Sequence, residues 1–301
     1  MHRIDGPGAT VDNKFTDGDP VGGVPATVVT DDWLNDVQEN LMALLSAAGV
    51  TPTKGRSLDV LDSIGKVTRG RLLRTTIFQM VGGVQQVSID GGAFASTGAT
   101  VFSTLSSTTK TAYKILGGGG SGGSAQGTAA GQQSVAGGGG AGGYCEGIFT
   151  SPLVAASVSV GAGGAAPAAG LTIGNNGGTS SVSGVASAAG GAGGAAGPLT
   201  STFPLLSGGG NGGLASGANL VNTRGGSGGV GLNLALSNMA SGAGANSILA
   251  GGAQAVGATQ NGGSGGGPGA GGSGGACLAS VAAGRAGGAG GDGYIEFKEY
   301  A

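Results

Sequence analysis

One unit dominates the sequence between Gly117 and Asp292: Gly-Gly-X-Gly-Gly-X. It occurs at Gly119–Ser124, Gly139–Tyr144, Gly190–Ala195, Gly209–Leu214, Gly225–Val230, Gly271–Ala276 and Gly287–Asp292. A period of three is one turn of a left-handed extended helix of the polyproline type, rising ~3.1 Å per residue. A six-residue unit would span roughly 19 Å in that form. Two glycines in each turn leave two ridges without side chains, so neighbouring backbones can approach closely. Unlike proline, each glycine keeps its N–H and can bond a neighbour directly. The third residue is expected to point away from the contact.

A flexible linker is the competing reading. The chain holds 74 Gly and 9 Pro in 301 residues, near the composition of low-complexity disorder. Ordering a glycine costs about 1–2 kcal/mol of backbone entropy, and a hydrogen bond returns about 0.5–1.5 kcal/mol net. Two features favour order. Between Gly117 and Asp292 the charged residues are Glu146, Arg224 and Arg285, whereas disordered tracts are usually charged. The interludes Leu153–Val160 and Leu232–Met239 are apolar and can supply core. The fold class expected is mainly β plus glycine-rich, polyglycine II-like left-handed helices, with a small N-terminal α-helical segment.

Four segments follow. Residues 1–30 read as an extended arm, turning at Asp5–Gly8 and Asp17–Pro20, and ordered only against a partner surface. Residues 31–70 read as helical. Thr30 is a plausible N-cap, with Asp31 and Asp32 in the positive first turn. Leu34, Val37, Leu41, Leu44 and Ala48 make a heptad seam. Trp33 and Leu45 broaden it, and Gly49 stops the helix. The partner of this seam is open: the next helix, about Ser57–Val67 with Leu58, Leu61 and Ile64, or copies packed around a threefold axis. Residues 71–116 read as a small β module, with strands at Thr75–Val81, Val84–Ile89, Val101–Leu105 and Thr111–Leu116. Residues 117–301 form a glycine-rich distal domain. Within it Ser157–Val160 and Leu171–Ile173 alternate as strands do. Residues 294–300 are expected to close it by pairing back on Thr111–Leu116.

Net charge is −2 and no basic patch exists, so nucleic acid is not an expected partner. No apolar run approaches the ~20 residues of a membrane span, and the first residues carry no apolar signal core. Cys145 and Cys277 read as two buried thiols or as one long-range disulfide. With His2 they are too few for a metal site. A glycosidase needs two carboxylates about the bond; the field offers Glu146, with Asp292 at its very end. A Ser-His-Asp set would have to use His2, the single histidine. No Gly run continues into Lys-Ser/Thr as a phosphate loop does. The expectation is a non-enzyme without cofactor or metal.

Three stretches together resemble known proteins. Val24–Asn35, with Val37-Gln38-Glu39 and Ala47–Pro52, resembles the N-terminal region of tail fibres of bacteriophages and prophages. Gly70–Arg74 with Thr76-Ile77-Phe78 resembles the segment that follows there. Lys114-Ile115-Leu116 running into Gly117–Gly120 resembles the start of the glycine-rich domain at phage fibre ends. Val158–Gly164 and Gly291–Phe297 fit the later part of that domain. The alternation of glycine units and apolar loops is also similar to adhesins that cap long fibres of T-even-type phages. This chain departs from such fibres in lacking a long shaft.

The resemblance implies an elongated homotrimeric fibre or fibre tip in the virion tail, assembled in the host cytoplasm. Residues 1–70 would meet the baseplate or tail-tip proteins, with Trp33, Leu34, Val37, Leu41 and Leu44 at the trimer or attachment surface. The distal loops would bind a bacterial surface receptor: polysaccharide, pilus or outer-membrane protein. The candidate contacts are Phe203, Leu205, Leu206, Asn233, Asn238, Met239 and Asn246, with Tyr144 and Phe149 weaker. Two other readings stand beside it. One is a structural connector carrying a separate adhesin. The other is an ice-binding or matrix protein, which predicts a flat Thr/Ser/Ala face and no capped heptad helix.

Overall fold

The computed structural model describes residues 2–68 and 70–301. The chain divides into two compact units, residues 1–71 with Ala301, and residues 72–300.

In the first unit, α1 spans Asp31–Ala47 and α2 spans Asp59–Val67. Thr30 is extended, and its side chain accepts the Trp33 N–H, which satisfies one of the open donors of the first turn. Gly49 follows the helix at φ +61°, a conformation that suits glycine. The arm of residues 1–30 makes hydrogen bonds within itself. It doubles back on itself, with the Thr27 hydroxyl donating to Gly8 O and the Val28 N–H donating to Pro7 O. The Phe15 ring meets Trp33 edge-on at 5.1 Å. Trp33, placed by its sequence in the helix seam, therefore packs within the chain. On α2 the buried positions are Asp59 and Ser63. The Asp59 carboxylate accepts from the Thr53 N–H and from Arg56. Leu58, Leu61 and Ile64, one of the two partners open to the α1 seam, are exposed.

The second unit is mainly β. In chain order its strands are β1 Leu72–Val81, β2 Val84–Ile89, β3 Val101–Phe102, β4 Lys110–Leu116, β5 Ser134–Val135, β6 Tyr144–Phe149, β7 Ala156–Ser159 and β8 Ser180–Val182. They continue as β9 Ala186–Ala188, β10 Leu205–Ser207, β11 Ala215–Ser216, β12 Val221–Thr223, β13 Gly231–Ala235, β14 Asn238–Ala240, β15 Ala276–Cys277 and β16 Tyr294–Tyr300. The C-terminal strand pairs antiparallel with β4, Tyr294 opposite Leu116 and Tyr300 opposite Lys110. Its other edge pairs with β1. These strands belong to a six-stranded sheet ordered β12-β6-β4-β16-β1-β2. The strands before and after the glycine field thus share one sheet.

A five-stranded sheet, β11-β9-β8-β7-β3, supplies the facing layer of the core. Phe78, Ile115, Cys145, Ile295 and Phe297 from the first sheet are buried with Phe102, Val158, Val182 and Ala188 from the second. Phe102 stacks on Phe297 at 3.9 Å, and Phe78 meets both rings edge-on. Aromatic rings supply much apolar burial per residue, which matters in a chain with 4% aromatic content. Cys145 and Cys277 are both buried free thiols, and burial pushes the Cys145 thiol up to about 11. Two expected strands differ. Val101–Leu105 shortens to β3, and Leu171–Ile173 is not a strand, since Thr172 O accepts from Ser124 within the glycine field.

The field itself is a lattice of backbone hydrogen bonds. Gly117, Gly120 and Gly123 donate to Gly143, Gly140 and Gly137. Gly118, Ser121 and Ser124 donate to Gly178, Asn175 and Thr172. Gly119, Gly122 and Ala125 donate to Gly291, Gly288 and Arg285. These nine bonds are 2.8–3.0 Å long. Donation rotates among three neighbours and repeats every third residue. The carbonyls serve three more runs: Gly191, Gly194 and Gly197 donate to Gly118, Ser121 and Ser124; Gly272 and Gly275 to Gly120 and Gly123; and Gly164 to Gly119. The run 117–125 is therefore surrounded by six others, and 136–143 is embedded in the same way.

Both runs are buried throughout. A buried peptide group without a partner is costly, and the rotation supplies partners on every side. The third residue of each triplet does not always point outward. Ser121, Ser124, Ala141 and Ser273 are buried, because a central run has no outer side. The serines there accept hydrogen bonds, Ser121 Oγ from Asn175 N–H at 2.7 Å and Ser273 Oγ from Gly263 N–H at 2.9 Å. On peripheral runs the same position carries Asn211, Leu214 and Val230, all exposed.

Candidate functional site

Because runs that follow one another along the chain alternate in direction, the connections gather at two ends of the lattice. Gly117, Gly143, Gly178 and Gly291 mark the end that joins the six-stranded sheet. Gly123, Ser124 and Ala125, with Gly137, Thr172, Gly197, Gly275 and Arg285, mark the other. From that second end rise six loops: residues 126–134, 165–171, 198–207, 231–241, 254–261 and 276–284.

Small structures brace these loops. β10, β13 and β14 form a three-stranded sheet, and β5 pairs with β15. Val135, Met239 and Ala276 are buried together, with Val256 and Leu278 packed against them. Leu278 O accepts from the Thr128 hydroxyl, whose oxygen accepts from the Val281 N–H. Gln133 is fully buried against Asn233, Ala235 and Ser237; with its amide turned so that nitrogen faces the acceptors, it donates to Asn233 Oδ1 at 3.1 Å and Ala235 O at 3.2 Å, and accepts from the Ser237 N–H. Nothing in the sequence pattern singles out Gln133, because its role comes from a hairpin a hundred residues later.

The candidate contact residues separate on this frame. Leu206 is 62% exposed, and its neighbours Leu234 and Leu236 on the β13–β14 hairpin are 53% and 51% exposed. Asn238 is exposed, Phe203 and Leu205 half-buried. Asn233 and Met239 are corrections. At 1% and 6% exposure they face inward, one holding the hairpin through Gln133 and the other filling the small core. Strand alternation sends them inside while Leu234 and Asn238 point out. Asn246 is exposed but lies apart from the six loops. It borders a hollow of about 220 Å³ with Tyr144 and Thr223, at the sheet end of the lattice. Tyr144 is buried and Phe149 packs against the large core.

The sheet end carries the ionisable side chains. A hollow of about 180 Å³ on β4, β6 and β16 is lined by Lys114, Glu146, Leu220, Glu296 and Lys298, among others. Glu146 accepts the Tyr144 hydroxyl at 2.6 Å, and Glu296 pairs with Lys298 at 3.0 Å. Burial, then Glu146, raise the Tyr144 phenol far above its usual range; burial, then Glu296, push Tyr294 up to about 12. Each carboxylate thus has a partner and each phenol stays protonated, an arrangement that packs charge on a sheet face.

Comparison with known proteins bears on most of this unit. Uncharacterized protein StfP from Escherichia coli (strain K12) is 39% identical over 70 residues, which make up 21% of this chain and 34% of StfP. The chain thus spans about a third of the length of the curated relative it matches. A family model described as a glycine-rich domain matches residues 95–300, from ahead of β3 to the closing strand. That match covers more than half of the sequence and coincides with the lattice and both of its ends, so the chain belongs to the glycine-rich domain family.

Proposed function

We propose that this chain is a bacteriophage or prophage tail-fibre protein that attaches the virion to its bacterial host through the six-loop end of the glycine lattice. The observation that carries the reading is the gathering of those loops at one end of a side-chain-poor scaffold, with Leu206, Leu234 and Leu236 exposed on them. An exposed apolar cluster of this kind is a frequent mark of an interaction site. Membership of the glycine-rich family and the resemblance of the N-terminal stretches to phage fibres support it. The three-residue rotation of donors supports reading the runs as polyglycine II-like left-handed helices. On this reading the protein binds and does not catalyse.

Full-length chain carrying a fluorescent label should bind host cells. Leu206→Ala with Leu234→Ala should weaken that binding about tenfold or more, as truncation of central contacts does. Asn211→Ala, on a peripheral run, should not. Equal binding by all three proteins, with unchanged melting, rejects the loop end as the contact.

Residues 1–71 are proposed to attach the fibre to the tail and to hold three copies together. Leu34 and Leu41, one heptad apart on α1, are exposed, and Val37 and Leu44 are half-buried. Leu58, Leu61 and Ile64 on α2 add further exposed apolar surface. Such surface on short helices favours assembly with other copies. Native mass measurement should give three times the 27.8 kDa chain, and Leu34→Asp with Leu41→Asp should give monomers. A wild-type mass of one chain refutes the trimer.

A further inference from the structure

The charges of the 72–300 unit are segregated along the lattice. None of the six loops contains Asp, Glu, Lys, Arg or His. Arg285 stands at their base, with Nη1 donating to Gly284 O, and the thiol of Cys277 is buried. Lys110, Lys114, Glu146, Arg224, Glu296 and Lys298 all lie at the sheet end or beside it. The loop end offers instead Leu206, Leu234 and Leu236 beside the exposed amides of Asn238, Gln254 and Gln260.

We infer that the partner docked by this end is an uncharged polypeptide surface, held by apolar contact and amide hydrogen bonds without ionic attraction. The inference rests on the host-attachment reading above and adds the chemistry of the partner. An anionic polysaccharide would call for guanidinium or ammonium groups, which recognise carboxylate and phosphate, and the loops have none. A neutral glycan would call for a flat aromatic platform. No Tyr or Trp lies in these loops, and the ring of Phe203 is half-buried. Exposed leucines match an apolar protein patch. A fixed charge on the partner would be desolvated against them without compensation.

Binding of full-length labelled chain to host cells tests this over salt and pH. Between about 20 and 500 mM NaCl, where screening length falls severalfold, the apparent affinity should change less than about twofold. It should also be flat between about pH 5.5 and 8.5, since no loop residue with an exposed titratable group is present. Leu236→Glu should bind about tenfold more weakly than Leu236→Gln, both with the wild-type melting temperature. Protease treatment of the cells should remove binding, and periodate oxidation of their glycans should leave it. A tenfold or larger fall with salt overturns the uncharged contact. Loss of binding on periodate but not on protease treatment overturns the polypeptide partner. Absence of binding at every salt concentration strikes down the attachment reading itself, and the inference falls with it.

Discussion

Gly122→Ala is expected to unfold the 72–300 unit. A Cβ built at Gly122 would lie 1.9 Å from Ser273 O and 2.3 Å from Ser273 C, both backbone atoms. Neither can turn aside as a long side chain could. To make room, the run 269–275 would have to leave its bonds to Gly120, Gly123 and Gly139. The loss should exceed ~4 kcal/mol, in the range of severe core lesions, against a typical total of ~5–15 kcal/mol. Gly208→Ala is the matched control. No atom lies within 4 Å of a Cβ at Gly208, so the change should move stability by less than about 0.5 kcal/mol. Thermal unfolding followed by circular dichroism, together with limited proteolysis, separates the two. If Gly122→Ala melts with the wild type, the close approach of runs is not what holds the domain.

The second large effect concerns Glu299. Its carboxylate is fully buried and accepts three hydrogen bonds, from Arg74 Nε at 2.5 Å, the Leu105 N–H at 2.8 Å and the Thr108 hydroxyl at 2.8 Å. Arg74 also donates to Ser103 O at 2.6 Å, and its guanidinium lies 5.5 Å from the centre of the Phe102 ring. The pair therefore ties β1, β16 and the 103–108 segment across one edge of the large core. Glu299→Ala leaves a largely buried arginine without its counter-charge, which should cost about 3–5 kcal/mol. Replacing both members, Arg74→Met with Glu299→Leu, should recover part of that loss: no charge is left unpaired, although the Leu105 N–H, the Thr108 hydroxyl and Ser103 O lose their partner. Denaturant unfolding of the two variants and the wild type reads the outcome. A double variant as unstable as Glu299→Ala would show that the lost hydrogen bonds and packing, not the unpaired charge, set the cost.

Much of the architecture was legible in the residues. The Gly-Gly-X period announced the distance at which backbones meet, and the Ile295/Phe297 alternation announced a strand with one buried face. Thr30 and Gly49 bracketed α1 for reasons internal to a few residues. What could not be read was which neighbour each run would choose, because glycine carries no side chain to specify a partner. The six-stranded sheet also depends on pairing β1 with β16, more than two hundred residues apart. The candidate contacts failed where the period changed. Asn233 and Met239 lie in an apolar interlude that looks like a loop, yet the hairpin gives them a two-residue alternation and turns them inward. Which end of the lattice carries Asn246 was not legible either, because loops leave a lattice from both ends and the sequence does not number the crossings. On α2, local polar bonding by Asp59 and Ser63 won the inner face from three leucine-type residues.

The stacking of runs also separates what is inherited from what is free to change. Each of the six loops starts and stops on residues already fixed by amide-to-carbonyl bonds of their neighbours, and those bonds do not consult loop composition. Lengthening a loop at its exposed tip, outside the contacts that brace the loops to one another, then costs mainly closure entropy, about 0.6 kcal/mol for each doubling. A lineage, or an engineer, can extend such a tip while the lattice and the braced bases of the loops keep their places.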